Sequence, residues 1–229
     1  MRIRWEQERR AVIAVAQEMA SQGLTTGTSG NVSVRLAYDA GGESVVAITP
    51  TGVPYPSLTP GDIVVVDLDV NPIDGDGIPS SETLLHTEIY RRRPDAGAII
   101  HTHSVFASVA AVSGLDIPPI IDEALMLLGG PIKISEYAFP GSQELADNML
   151  DALGQRNAAI IRNHGAVCVG IDLKEALNVG TLLERLAQIY YYAAASGKVN
   201  TIPPDVVEAE IAIFNMRRQA HLSSLDSEL

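Results

Sequence analysis

Five histidines occur in the chain, at positions 86, 101, 103, 164 and 221, and two of them form the pair His101-Thr102-His103. The pair ends an apolar run from Ala98 that reads as a short strand. Residues i and i+2 of a strand project from one face, so both imidazoles can reach one point. His164 ends a second predicted strand, in Asn163-His164-Gly165. The glycine after it permits close approach of backbone and unusual dihedral angles. Three neutral imidazoles with one open position make a catalytic divalent-metal site, most often zinc. Nitrogen ligation without cysteine speaks against a structural zinc site and against magnesium. The competing reading is that His-x-His arose by chance and that these are core or surface histidines. Spacing alone leaves both open.

Glu82 is the other residue that could do chemistry. Ser80-Ser81-Glu82 opens a predicted helix running to about Arg93, stopped by Pro94. An acidic side chain in a first turn complements the helix dipole. The same carboxylate near a metal could ligate it, or act as a base when substrate displaces it. Three segments look like anion donors: Thr28-Ser29-Gly30-Asn31, Thr49-Pro50-Thr51-Gly52 and Ser80-Ser81. They combine hydroxyl or amide side chains with backbone N–H groups freed by glycine or by a helix start. The same residue types also fill ordinary turns.

These residues need a scaffold. Helical spacing is read over Trp5–Gln22, ending before Gly23, and strands over 31–36, 44–49 and 62–67. Asn71–Pro79, rich in Pro, Gly and Asp, reads as a surface turn or loop. Beyond the helix from Ser80, a strand over 98–102 and helices over 105–113 and 142–153 follow. A strand over 158–161 ends at His164, with 167–169 as its possible continuation. Helices over 173–196 and 203–222 close the pattern. Strands and helices mix without strict alternation, which favours a sandwich with a largely antiparallel sheet. No repeat, low-complexity tract or linker divides the chain, so 1–229 reads as a single domain.

Composition narrows the function classes. The chain has 229 residues, 46% hydrophobic and 19% charged, which excludes a disordered polymer. No apolar stretch approaches the roughly 20 residues that cross a bilayer. The opening Met1-Arg2-Ile3-Arg4-Trp5-Glu6 does not read as a signal peptide. One cysteine, Cys168, excludes an internal disulfide and fits a reducing cytosol. A net charge of -12 disfavours nucleic acid and anionic membrane as partners. Any phosphate must then be held by local donors against the field of the whole protein.

Taken in order, the segments resemble the class II aldolase/adducin family, and within it the bacterial L-fuculose-phosphate aldolases. The resemblance rests on Gly27-Thr28-Ser29-Gly30-Asn31-Val32-Ser33-Val34-Arg35, Ile48-Thr49-Pro50-Thr51-Gly52 and Pro79-Ser80-Ser81-Glu82. It continues in Arg93-Pro94-Asp95-Ala96, His101-Thr102-His103 and Asn163-His164-Gly165, over about residues 5 to 195. It implies an α/β fold, a three-layer α/β/α sandwich with a mostly antiparallel central sheet. It also implies a cytoplasmic homotetramer with active sites between subunits. His101, His103 and His164 would hold Zn²⁺, one per subunit, with Mn²⁺ or Co²⁺ as alternatives. Glu82 would sit at the metal in the resting state and serve as the acid/base. Gly30, Asn31, Thr51, Gly52, Ser80 and Ser81 would hold the substrate phosphate.

The implied reaction is cleavage of a ketose 1-phosphate to dihydroxyacetone phosphate and an aldehyde through a metal-stabilised enediolate. The implied substrate is L-fuculose 1-phosphate or a deoxy or methylthio pentulose 1-phosphate. An epimerase, dehydratase or decarboxylase on the same metal site is the alternative, and a non-catalytic adducin-like module is a third. The chain departs from the L-fuculose-phosphate aldolase pattern in two places. Ile117-Pro118-Pro119-Ile120-Ile121 is followed by Asp122-Glu123 instead of a tyrosine, and no tyrosine occurs after Tyr192. Asp122 or Glu123 could handle the C4 hydroxyl proton across a subunit interface, or could form an N-cap and first-turn pair.

Other residues read as structural. Cys168 is expected in buried packing, and at least one of Tyr190, Tyr191 and Tyr192 toward the core. Arg91-Arg92-Arg93 is expected as a solvated helix end, and His86 and His221 as helical residues outside the ligand set.

Overall fold

The apolar runs pair into one seven-stranded sheet in the computed structural model, which describes residues 3–37 and 44–227. Helix α1 (Glu6–Ser21) is followed by β1 (Asn31–Ala37), β2 (Ser44–Ile48), β3 (Val64–Val66) and β4 (Pro72–Asp74). Next come α2 (Thr83–Arg92), β5 (Ala98–Thr102), α3 (Val105–Ser113), α4 (Asp122–Leu128) and α5 (Gln143–Leu153). The hairpin β6 (Ala158–Ile161) and β7 (Gly165–Gly170) leads to α6 (Leu173–Ala195) and α7 (Pro204–Ser227). The strand order is β4-β3-β2-β1-β5-β7-β6, and every neighbouring pair is antiparallel.

The two-residue strand period distributes side chains to two cores, making three layers. On one face Val32, Ala98, Ile100, Ala166 and Cys168 pack with α1, α3 and α6. On the other Val46, Ile99, Val167 and Val169 pack with Leu85, Ile89 and Tyr90 of α2 and Leu145 and Met149 of α5. This is the expected α/β/α sandwich. No helix of the described residues is long and apolar enough to cross a membrane.

Three local expectations are corrected. The segment read as a loop over 71–79 contains β4, an edge strand whose register with β3 shifts between Val65 and Val66. Its Pro72 is tolerated because an edge strand can lack a donor on its open side. Residues 167–169 do not continue β6. The chain reverses at 162–164 and β7 runs back beside β6, with Ile161 opposite Gly165.

The third correction concerns Arg93, which is not solvated but 2% exposed. Its guanidinium donates to Asp95 at 2.9 and 2.8 Å and to the Arg156 carbonyl at 2.7 Å. Asp95 also accepts from Arg218 of α7 at 2.6 Å. Cys168 is buried, and Tyr190 packs on the core while Tyr191 and Tyr192 are 47% and 59% exposed.

Asp95→Asn leaves the buried Arg93 charge uncompensated and should destabilise the fold by about 3 kcal/mol. Arg218→Ala removes only the outer partner and should cost about 1 kcal/mol. Urea denaturation of both variants measures the difference, and equal small losses would contradict a buried ion pair.

Candidate metal centre and active site

β5 is an interior strand. Its register places Asn31 of β1 opposite His101 on one side and Val167 of β7 on the other. Ala98 and Ile100 face one core and Ile99 the other, so His101 continues toward the layer of α2. Two glycines let the neighbouring backbones close on this strand end. A Cβ on Gly30, whose φ is +74°, would stand 2.6 Å from the His101 carbonyl oxygen. A Cβ on Gly165 would stand 2.2 Å from the Thr102 carbonyl oxygen and 3.2 Å from the rings of His101 and His103. The turn before Gly165 holds Asn163 at φ +57°, a left-handed conformation asparagine accepts better than most side chains. Asn163 N–H is anchored on the Ala111 carbonyl at 3.1 Å.

The result brings together His101, His103 and His164, with ligand atoms within 4.8 Å of one another. The three ring centroids are 4.7, 4.8 and 4.9 Å apart. His101 Nδ1 donates to the Ala166 carbonyl at 2.9 Å, which aims Nε2 into the cluster. His103 Nε2 lies 2.8 Å from His101 Nε2, and the His103 backbone N–H donates to the Leu24 carbonyl at 3.0 Å.

Glu82 occupies the N-cap position of α2, one residue before the helix begins at Thr83, so the helix starts later than the sequence suggested. Its carboxylate makes no cap hydrogen bond. It turns instead to the histidines, with Oε2 2.9 Å from His101 Nε2 and Oε1 3.4 Å from His164 Nε2. Asn31 Nδ2 donates to Glu82 Oε2 at 3.2 Å and to Ser80 Oγ at 2.9 Å. Burial works to raise the Glu82 pKa, but the positive charge of His101, its hydrogen bond, His164 and Asn31 hold it well below the usual carboxylate range. Burial lowers His103 to about 4, helped by the charges of His101 and His164, so its imidazole is neutral. Burial likewise lowers His164. His101 is raised: burial opposes this, and the Glu82 carboxylate overcomes it.

The residues fit a divalent cation. Tetrahedral nitrogen ligands at 2.0–2.1 Å from zinc stand about 3.3 Å apart, and the ligand atoms here range from 2.8 Å to 4.8 Å apart, so small ring rotations bring them to that spacing. Glu82 Oε1 and His164 Nδ1 are buried without hydrogen-bond partners, and the Glu82 oxygen faces the cluster.

The three anion-donor segments also converge. Asn31 meets Ser80 directly, and an antiparallel β-bridge between Pro50 and Pro79 joins the 49–52 segment to the stretch that leads into Ser80-Ser81, with Thr49 opposite Ser80. Thr51 N–H donates to the Ile78 carbonyl at 2.9 Å, and Thr51, Gly52 and Ser81 are exposed. Asp122 and Glu123 lie in the first turn of α4, whose N-cap is Ile121 rather than Asp122. Both are exposed, and Glu123 pairs with Arg185 at 3.3 Å. Glu184 of α6 was not singled out in the sequence. Its carboxylate accepts from the N–H groups of Phe106 and Ala107, just beyond His103. A mid-helix glutamate carries no local signal for such a long-range contact.

Residues 10–191 match the model of the Class II Aldolase and Adducin N-terminal domain. The chain belongs to the class II aldolase and adducin family. It is 34% identical over 204 residues to the 5-deoxy-D-ribulose 1-phosphate aldolase of Bacillus thuringiensis serovar kurstaki, covering 89% of this chain and 93% of the relative. It is 35% identical over 204 residues to the L-fuculose phosphate aldolase of Escherichia coli strain K12, covering 89% and 90%. A solved L-fuculose 1-phosphate aldolase superposes with a TM-score of 0.86 at 31% identity, covering 93% of this chain and 98% of the other. These relatives are aldolases, and the class II aldolase assignment makes this chain a lyase.

In this class II aldolase the remaining histidines are outside the cluster, as expected. His86 Nδ1 lies 2.7 Å from Ser33 Oγ, which also meets the Tyr90 hydroxyl at 2.9 Å. Burial, then the charge of His101, pushes His86 down to about 3 from an ordinary 6.5, against the attraction of Glu82. As pH falls below that ordinary value, the unfolded chain binds a proton that the folded chain refuses. Stability is therefore lost from about pH 6.5 down toward the folded value of about 3. This group alone should remove roughly 2 kcal/mol between pH 7 and pH 5. His86→Gln should flatten that part of the urea-denaturation pH profile; an unchanged profile would assign the dependence elsewhere.

Proposed function

We propose that residues 1–229 form one class II aldolase/adducin-type domain that acts as a zinc-dependent aldolase. It cleaves a ketose 1-phosphate to dihydroxyacetone phosphate and an aldehyde. The observation that carries this reading is the Glu82 carboxylate, 2.9 Å from His101 Nε2 inside a three-histidine cluster instead of capping its own helix. His101, His103 and His164 would hold the ion, with Glu82 at it in the resting state. A bound divalent ion supplies Lewis-acid stabilisation of the negative charge that develops on the three-carbon fragment.

This chain's residues supply the rest. Asn31, Thr51, Ser80 and Ser81 through their side chains, with the backbone of Gly30 and Gly52, receive the phosphate through neutral donors. In the cleavage the C3–C4 bond breaks. The C4 hydroxyl loses its proton and becomes the aldehyde carbonyl; Glu82, ionised in the resting site, takes up a proton from solvent as substrate displaces it from the histidines and passes it to the electron pair left at C3. The product is dihydroxyacetone phosphate, and the synthetic direction returns that proton to Glu82. Asn31 keeps the Glu82 carboxylate oriented through its 3.2 Å hydrogen bond. Asp122 or Glu123 of a neighbouring subunit accepts the C4 hydroxyl proton.

A cytoplasmic homotetramer with sites between subunits completes the reading. In support, Val105, Val112 and Leu115 of the α3 region and Tyr192 of α6 are 64%, 70%, 55% and 59% exposed. Apolar exposure of this extent marks interaction surfaces. The relatives are named for L-fuculose phosphate and for 5-deoxyribulose and 5-methylthioribulose 1-phosphate, which sets the substrate panel.

The test is a coupled assay for dihydroxyacetone phosphate on the zinc-loaded protein with that panel. Release abolished by chelator is expected, and Glu82→Gln should keep the metal but lose at least about a hundredfold in turnover. Metal uptake without dihydroxyacetone phosphate from any substrate would turn the reading to an epimerase, dehydratase or decarboxylase. His103→Ala should bind markedly less metal in equilibrium dialysis; full occupancy would break the three-histidine site.

A further inference from the structure

Helix α3 begins two residues after His103, and its N-terminus is unusual. Ser104 occupies the N-cap, yet its hydroxyl makes no cap hydrogen bond. The first intrahelical bond runs from Ser108 N–H to the Ser104 carbonyl at 2.9 Å, so the N–H groups before it need outside partners. Glu184, from the middle of α6, provides them for Phe106 and Ala107. Its carboxylate accepts from Phe106 N–H at 2.8 and 3.1 Å and from Ala107 N–H at 2.9 Å. The buried Leu182, Leu183 and Leu186 fix this stretch of α6, which packs on β5 and β7. Glu184 is thus built on the same strands that carry the histidines.

We infer that Glu184 is a positioning residue for the metal centre, acting through α3 on His103. The inference rests on the metal reading above. Two physical effects support it. The carboxylate fixes the backbone of Phe106 and Ala107, and with it the trailing side of the His103-Ser104 segment, whose leading side is held by Leu24. The N-terminus of a helix also carries about half a positive charge. Two residues from a ligand, that charge opposes a divalent cation. The full negative charge of Glu184 cancels it at the source. A hydroxyl cap from Ser104 would satisfy the N–H groups but leave the charge in place.

The experiment is a titration of apo protein with Zn²⁺ against a chromophoric chelator, for the unmodified chain, Glu184→Gln and Glu184→Ala. Glu184→Gln retains one acceptor and loses the charge, and it keeps the test informative if Glu184→Ala fails to fold. Asp172→Ala serves as the control. It removes the N-cap of α6, which accepts from Glu175 N–H at 2.7 Å and lies away from the histidines. Outer residues around a metal commonly change affinity 10–100-fold. We expect about a tenfold weaker Zn²⁺ affinity in Glu184→Gln and more in Glu184→Ala. Asp172→Ala should lower the melting temperature without changing affinity. Affinity within twofold of the unmodified chain in Glu184→Gln would overturn the inference and reduce Glu184 to a helix cap. Absence of Zn²⁺ uptake by the unmodified chain would overturn the metal reading and this inference with it.

Discussion

The carboxyl end of β5 is gripped by backbone on both sides, and the site depends on that grip. Gly30 closes on the His101 carbonyl and Gly165 on the Thr102 carbonyl, each at a distance that leaves no room for a side chain. The first approach brings Asn31 into register with His101. The second brings the β6–β7 turn, and His164 with it, against the rings of His101 and His103. A methyl group at either glycine would push a neighbouring strand outward by more than the tolerance of a ligand cluster. Close packing of backbone, rather than attraction among imidazoles, therefore assembles the histidines.

Given that frame, the electrostatics of the site oppose those of the molecule. The chain carries a net charge of -12, and its family relatives act on anionic sugars by name. The anion-donor turns contain no lysine or arginine, only hydroxyls, one amide and backbone N–H groups. Such donors recognise a phosphate at short range without adding a charge that would compete for Glu82. Positive charge is left to the histidine cluster, where Glu82 sits. The preference of Glu82 for the histidines over its own helix dipole follows from distance. An imidazole at 2.9 Å in a buried setting outweighs half a charge spread over a helix end.

Much of this was legible in the sequence, and the failures have physical causes. Helices α1, α5 and α6 could be bounded from their apolar period and end signals. β4 was hidden by Pro72 and the Asp-Gly pairs around it, because composition reports turns and only pairing with β3 defines an edge strand. The β6–β7 reversal was missed because Asn163 adopts a left-handed conformation that no local pattern announces. Arg93 looked solvated beside Arg91 and Arg92, yet its partner Asp95 and the Arg156 carbonyl bury it.

Residue types determined the chemistry by themselves. The spacing of His101 and His103 on a strand, the glycines beside Asn31 and His164, and the serines before Glu82 limit what the chain can bind. The antiparallel sandwich also follows from the unalternating order of its apolar runs. Tertiary structure decided which of these residues meet. His164 lies more than sixty residues from His103, and Glu82 had two physically sound roles open to it. Chain proximity cannot choose between them, because strand register and backbone contact across the sheet set the distances. The same holds for Glu184, whose partners Phe106 and Ala107 are 78 and 77 residues away.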